Sequence, residues 1–338
     1  MLILRPVAPE DLDALVELSE SLDSVNLPRD ADFLRERIVR SQWSFGGEVR
    51  DWRDGVYVFV LEDTVARRCV GTSLILGKVG RPDEPYYWLE VSTEERRSAE
   101  LGERFCHTRL QLRSTEDGPT EVGGLILDPS YRGHAEKCGK ALSTVRFAYI
   151  AAHPDRFERE VIAEMLSIFE ESGENRLWEA FGRRFTGLPY READHLSAKN
   201  RRFIADLFPR DPVYATLFPE DVRDQIGKAD APAAIRILEK VGFRYLGQVD
   251  PFDGGPYYGA ARNAILSVRE RRELVLPKVP RDPMDHEGPL ALLSAEGVLG
   301  FRATVVRLDV DGSPSVPKAM REALGVAAGD RVSVTPLP

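Results

Sequence analysis

The segment EVGGLILDPSYRGHAEKCGKALSTVRFAYIAA (residues 121–152) constrains this chain more than any other. Val122–Leu127 reads as an apolar β-strand that stops at Asp128-Pro129. A turn follows with Arg132-Gly133, and Gly139-Lys140 opens a helix running to about Ala152. A helix N-terminus presents free backbone N–H groups and the positive end of its dipole. A strand–turn–helix unit of this kind can therefore cradle a phosphate or pyrophosphate without dedicated side chains. Glycine in the turn lets the backbone approach such a ligand closely.

The flanking sequence supplies the partners such a unit needs. LILRPV (residues 2–7) reads as a strand ending at Pro6, and PEDLDALVELSESL as a helix with an apolar stripe through Leu12, Leu15, Val16 and Leu18. A second helix is expected from Asp30 to Ser41, two strands between Val56 and Leu76, and another strand from Tyr86 to Val91. Residues 155–225 read as a helical insertion, with breaks at Gly173, Gly187–Pro189 and Pro209–Pro212. PAAIRILEKVGFRYLGQV (residues 232–249) reads as helix, glycine turn, strand. The expected organisation is an α/β main domain over 1–275, a linker rich in proline and charge over 276–289, and a small β-rich tail over 290–338.

Composition narrows the function classes. A formal net charge of −9 argues against general nucleic-acid binding, which needs a basic face, and suits a cationic substrate better than an anionic one. The three cysteines (Cys69, Cys106, Cys138) have no disulfide-framework spacing, and the five histidines have no metal-ligand spacing, so no metal is expected. No basic leader precedes a long apolar run, and no stretch approaches ~18 uninterrupted apolar residues, so neither a signal peptide nor a membrane span is expected and a cytoplasmic location is the default.

The 121–152 unit resembles motif A of the GNAT acyltransferases, and PAAIRILEKVGF resembles the helix and strand at the other end of that fold. LWEAFGRRF, EADHLS, FIADLFPRDPVY, the Ile226-Gly227 pair, GFRYLGQVDPFDGGP and the ending ALGVAAGDRVSVTPL are, in order along the chain, similar to the arginine N-succinyltransferase family. So are RPV…DLDAL, SFGG at 44–47 and GGLILDP at 123–129. The resemblance implies a GNAT-like mixed sheet flanked by helices, with succinyl-CoA as co-substrate and no permanently bound cofactor. It also implies succinyl transfer to the α-amine of arginine in arginine catabolism, and a homo- or hetero-oligomer. Leu125 and Leu127 would pair with the pantetheine amides, and Arg132, Gly133, His134, Gly139 and Lys140 would hold the pyrophosphate.

Aminolysis of a thioester needs a neutral amine, and an α-amine has a pKa of roughly 8, so a base helps at neutral pH. Glu121, at the start of the coenzyme strand, is either that base or a solvated strand-end residue. The family's expected histidine after Ile-Gly is missing from Ile226-Gly227-Lys228-Ala229-Asp230, so Asp230 either fills that role or caps the following helix. The phosphate loop is also longer than the family's, with Ala135 and Lys137 where glycine is expected. The tyrosine acid of many GNAT enzymes would fall near Leu238, leaving Tyr257 and Tyr258 as substitutes or as packing residues. Asp250 and Asp253 are candidates for a guanidinium fork, or closers of their own turn. Ser44 and Phe45 are expected on the acceptor side, and Cys138 as a small packing residue.

Three alternatives remain open on sequence. One is a divergent acyltransferase with another amine or acyl donor, and another is a partner subunit that has lost catalysis. The third is a DNA-binding role for the tail, whose VPKAMREALGVAAGDRVSV looks like a swapped-hairpin module but lacks a dense basic face.

Overall fold

The computed structural model describes residues 1–20, 27–197, 200–276, 288–308, 314 and 316–338. β1 (Leu2–Pro6) leads into α1 (Leu12–Ser19) and α2 (Ala31–Gly46). Asp30 caps α2 through its side chain, which accepts from the Asp32 and Phe33 amides. β2 (Val56–Asp63) and β3 (Arg68–Leu76) follow as expected. VYVFVL in β2 is apolar at every position because the strand is covered on both faces. Tyr57, Phe59 and Leu61 join one core cluster, while Val56, Val58 and Val60 join another with α1 and α2.

Next come β4 (Tyr86–Ser98), β5 (Glu103–Thr115), β6 (Thr120–Leu127), α3 (Cys138–Ala152) and β7 (Glu160–Glu164). The strand expected to end at Val91 runs on to Ser98 and pairs throughout with β5, which sequence patterning did not show. The outer part of this hairpin is polar and exposed on both faces, so it carries no period-two signal. β7 is a further correction. The helical insertion was expected from residue 155, but residues 160–164 form a buried strand parallel to β6. Three apolar residues between charged flanks read equally as a helical turn. Only burial between neighbouring strands decides for the strand.

The insertion proper is a π-helical turn (Trp178–Gly182) followed by α4 (Arg183–Thr186), α5 (Tyr190–Ser197), α6 (Arg202–Leu207), β8 (Val213–Tyr214) and α7 (Glu220–Arg223). Its own core centres on Trp178, Phe181 and Phe208, packed against Phe252. α8 (Pro232–Lys240), β9 (Arg244–Val249) and β10 (Pro256–Ala261) complete the main unit.

α9 (Leu266–Arg269), β11 (Arg272–Val275), β12 (Leu290–Gly297), β13 (Gly300–Arg307), α10 (Lys318–Leu324) and β14 (Arg331–Pro336) end the described chain. The expected linker lies largely outside the described residues. The tail is not a detached module: β13 pairs with β1 at Leu4↔Ala303, Phe301 enters the main core, and β11, from before the linker, pairs with β14. One mixed sheet results among the described residues, in the order β11-β14-β12-β13-β1-β2-β3-β6-β7-β10-β9-β4-β5-β8.

Two features of this sheet place the site. First, β6 and β7 pair only at Thr120↔Val161 and Glu121↔Ile162, so the two parallel strands part towards their C-terminal ends. Second, β6 carries a bulge: Leu74 opposes Gly123 and Thr72 opposes Ile126, so two residues face Ser73 alone. Gly124 takes φ +56° there. The extra residue shifts the side-chain phase, which puts Leu125 and Leu127 with Val122 on the α3 face and Ile126 on the other. A Cβ on Gly124 would sit 2.9 Å from Leu74 Cδ2 and 3.0 Å from Leu27 Cδ1. Gly124→Ala is therefore expected to destabilise the fold by about 1–3 kcal/mol, read as a lowered denaturation midpoint at unchanged m-value.

Candidate active site

The site has two sides, separated by the bulged strand. On the α2 side lies a cavity of about 200 Å³. That is below the roughly 300–1,000 Å³ of pockets for drug-sized ligands and suits a small amine. Its walls include Arg37 from α2, Tyr86 from β4, Glu121 from β6, Glu164 from β7, and Arg201. Glu121 and Glu164 thus face the half-buried Arg37 and Arg201 across one small space, whose lining also carries Asp54, Glu84, Lys78 and further arginines. Glu121 was expected from sequence and is buried here, not a solvated strand end. Glu164, Arg37 and Arg201 were not expected.

Glu164, at the end of β7, sits in a strongly perturbed environment. Burial first, then repulsion from Asp250 and Glu121, raises its pKa well above the ordinary carboxylate value. The Tyr257 hydroxyl lies 3.2 Å from Glu164 Oε2 and 3.1 Å from Asp250 Oδ2. One hydroxyl carries one proton, so both contacts are fully satisfied only when one carboxyl is itself protonated. The raised pKa assigns that proton to Glu164 at low pH. Burial lowers the Arg201 pKa, but Glu164 and Asp250 more than offset it, leaving Arg201 above the usual arginine value. Burial, then Arg40, pushes Arg37 down to about 10 against the pull of Glu121.

Asp250 and Asp253 are not a guanidinium fork. Asp250 Oδ1 accepts from the Phe252 and Asp253 amides at 2.7 and 3.1 Å, and its other oxygen meets Tyr257. Asp253 accepts from the Gly255 amide at 2.6 Å and the Ser167 amide at 3.0 Å. Burial and then Asp250 push Asp253 up to about 8 against these amides. Both residues close the DPFDGGP turn. Gly255 is required in it, since a Cβ there would meet the Met165 carbonyl oxygen at 2.1 Å. Tyr257, a candidate acid on sequence, is instead buried between the two carboxyls.

Three further expectations are corrected by position. Asp230 is exposed, is not among the cavity residues, and does not cap α8, whose N-cap is Ala231. Ser44 is buried and accepts from the Val56 amide at 2.9 Å, as Ser41 does from Val58. These hydroxyls satisfy the β2 edge beyond the end of β1. Phe45 packs edge-on against Tyr57, Phe59 and Tyr149 with ring centroids 5.1–5.3 Å apart. Neither residue lines the cavity.

On the other side, the N-terminus of α3 points out of the parted strands. Arg132, Gly133 and His134 form an exposed loop before it, with Glu136 N donating to His134 Nδ1 at 3.2 Å. Gly139 and Lys140 fall in the first turn of the helix. Burial, then Lys240 and Lys137, lowers the Lys140 pKa, so Lys240 brings a third ammonium group to Lys137 and Lys140. Lys240 ends α8, across the cleft from α3. Such a cluster beside a helix N-terminus fits a pyrophosphate better than the glycine-poor loop suggested. Lys140 Nζ also donates to the Pro338 carbonyl. Cys138 is buried, with its thiol pushed up to about 11 by burial, as a packing residue rather than a nucleophile.

Comparison with known proteins agrees with this layout. A family model for the arginine N-succinyltransferase beta subunit matches residues 2–267, and one for that subunit's C-terminal domain matches residues 272–336. An arginine N-succinyltransferase of Citrobacter koseri is 35% identical over 344 residues, covering 100% of this chain and 98% of that protein. One from Photorhabdus laumondii is 34% identical with the same coverage. The solved structure of arginine/ornithine succinyltransferase subunit AI from Pseudomonas aeruginosa superposes with a TM-score of 0.84 at 30% identity, covering 100% of this chain and 99% of that one. The bulged coenzyme strand, the parted parallel pair and the full-length likeness together make this chain an acyltransferase and a member of the arginine N-succinyltransferase family.

Proposed function

We propose that this protein transfers the succinyl group of succinyl-CoA to the α-amino group of L-arginine, in the cytoplasm and within arginine catabolism, as a dimer or larger assembly. The observation that carries the reading is the cavity in which Glu121 and Glu164 face Arg37 and Arg201. Arginine carries a cation at one end and both charges at the other, so a small buried space with both signs is complementary to it.

Pantetheine lies in the wedge between β6 and β7, with its phosphates at the α3 N-terminus beside Lys137, Lys140 and Lys240. Backbone N–H groups freed by the bulge at Gly124 polarise the thioester oxygen. The amine attacks the carbonyl carbon, the C–N bond forms and the C–S bond breaks. Glu164 takes the amine proton, and the coenzyme leaves as thiolate.

The test is arginine-dependent release of free thiol from succinyl-CoA by the purified protein, with ornithine as comparator. Release with arginine supports the reading. Release only with another amine moves the chain to a divergent acceptor, and coenzyme binding without release from any pair leaves a partner subunit. The pH dependence has a sign. Glu164 works as the carboxylate and its pKa is raised, so kcat/KM is expected to climb with pH through a limb lying above the usual carboxylate range. A limb at the ordinary glutamate value would remove Glu164 as the base.

A further inference from the structure

Helix α3 buries a guanidinium against β6. Arg146 is 3% exposed. Its Nε donates to the Ser143 carbonyl at 3.2 Å, Nη2 to Ser143 Oγ at 2.9 Å, and Nη1 to the Gly123 carbonyl at a long 3.5 Å. Among the described residues no carboxylate pairs with it, and burial alone pushes its pKa down to about 9.

A buried charge without a counter-ion is costly, and removing one is often neutral or stabilising. Its place shows where an anion would relieve that cost. Gly123 immediately precedes the bulge glycine, so the guanidinium sits level with the position of the thioester in the proposed reaction. A succinyl group carries its free carboxylate three bonds beyond the thioester carbon, within reach of a group level with the thioester.

We propose that Arg146 binds the distal carboxylate of the acyl donor and so selects a dicarboxylic acyl-CoA over a neutral one. The proposal rests on the succinyl-CoA reading above and deepens it. With a loaded dicarboxylic donor, the guanidinium gains the charge-assisted pair it lacks. With a neutral acyl chain of the same length, it stays buried and unpaired, and the transition state loses that pairing. The same logic makes Arg146 a specificity residue rather than a support of the bulge, since its bond to Gly123 is the weakest of its three.

The experiment compares kcat/KM for succinyl-CoA and butyryl-CoA with one acceptor, in wild type, Arg146→Met and Arg146→Lys. Wild type should favour succinyl-CoA. In Arg146→Met that preference ratio should fall by about 10²-fold, the size expected for truncating one member of a buried charge pair. Arg146→Lys should retain part of it. The thermal midpoint of Arg146→Met should hold or rise, whereas a residue that mainly supports the bulge would lower it. An equal loss on both donors, or an unchanged ratio, overturns the Arg146 assignment while leaving succinyl transfer intact. A wild type that releases no thiol from succinyl-CoA overturns the donor reading itself. If Arg146→Met does not fold, an Arg146→Lys ratio equal to that of wild type overturns the assignment, and a reduced ratio supports it.

Discussion

Glu164→Gln is expected to lower kcat/KM for the amine acceptor by about 10²–10⁴-fold, the usual contribution of a positioned general base. Glutamine keeps the volume and the contact with Tyr257 but cannot take a proton. The loss should therefore fall on kcat, with KM for the acceptor changed little. Stability should not fall with it. The substitution removes a carboxyl that burial and Asp250 both disfavour as the anion. Steady-state kinetics with a denaturation curve on the same sample separates the two effects. A loss smaller than about threefold would move the base to Glu121, which shares the cavity, and Glu121→Gln would then carry the large effect.

Trp178→Ala is expected to cost about 3–5 kcal/mol of stability, the range for truncating a fully buried tryptophan. Trp178 is completely buried, stacks on Phe252 at 5.1 Å between centroids and donates from Nε1 to the Leu188 carbonyl at 2.9 Å. Its own amide donates to Asn175 Oδ1, and Asn175 in turn donates to the Asp253 carbonyl at 2.9 Å. The side chain therefore clamps the insertion onto the turn that holds Asp250 and Asp253. Activity should drop along with stability, because Asp250 meets the Tyr257 hydroxyl that also contacts Glu164. A denaturation midpoint that barely moves would show that the insertion contributes little to the fold. Full activity in a destabilised variant would show that the turn does not position Glu164.

The physical basis of what could be read from sequence is local. β2, β3, β6 and the strand–turn–helix at residues 121–152 announce themselves because buried parallel or central strands are runs of apolar residues bounded by turn formers. Pro232 and Gly242 mark both ends of the helix before β9 for equally local reasons. Glu121 stands out in the sequence by its place at the head of β6, and it lines the cavity. Glu164 was missed because its strand was read as helix. A signal did exist: a strand followed by a crossover helix calls for a parallel strand soon after the helix ends, and VIAEM was the apolar run in that place. Asp250 and Asp253 show the reverse error. An aspartate beside two glycines reads as a ligand or as a turn closer, and only the amides within hydrogen-bonding reach decide for the turn.

Sequence by itself determined the elements that need only neighbours along the chain: strands β2, β3 and β6, the N-terminus of α3 after its turn, and the helix between Pro232 and Gly242. Tertiary structure decided everything that depends on shared burial. It attached the C-terminal strands to the main sheet through β1, and it brought Arg37, Glu121, Glu164 and Arg201 from four separate segments to one cavity. Among the described residues it also left Arg146 without a counter-ion. A pKa shift or an unpaired charge is set by how far water is excluded and which charges lie across the gap, and neither is a property of any short stretch of chain.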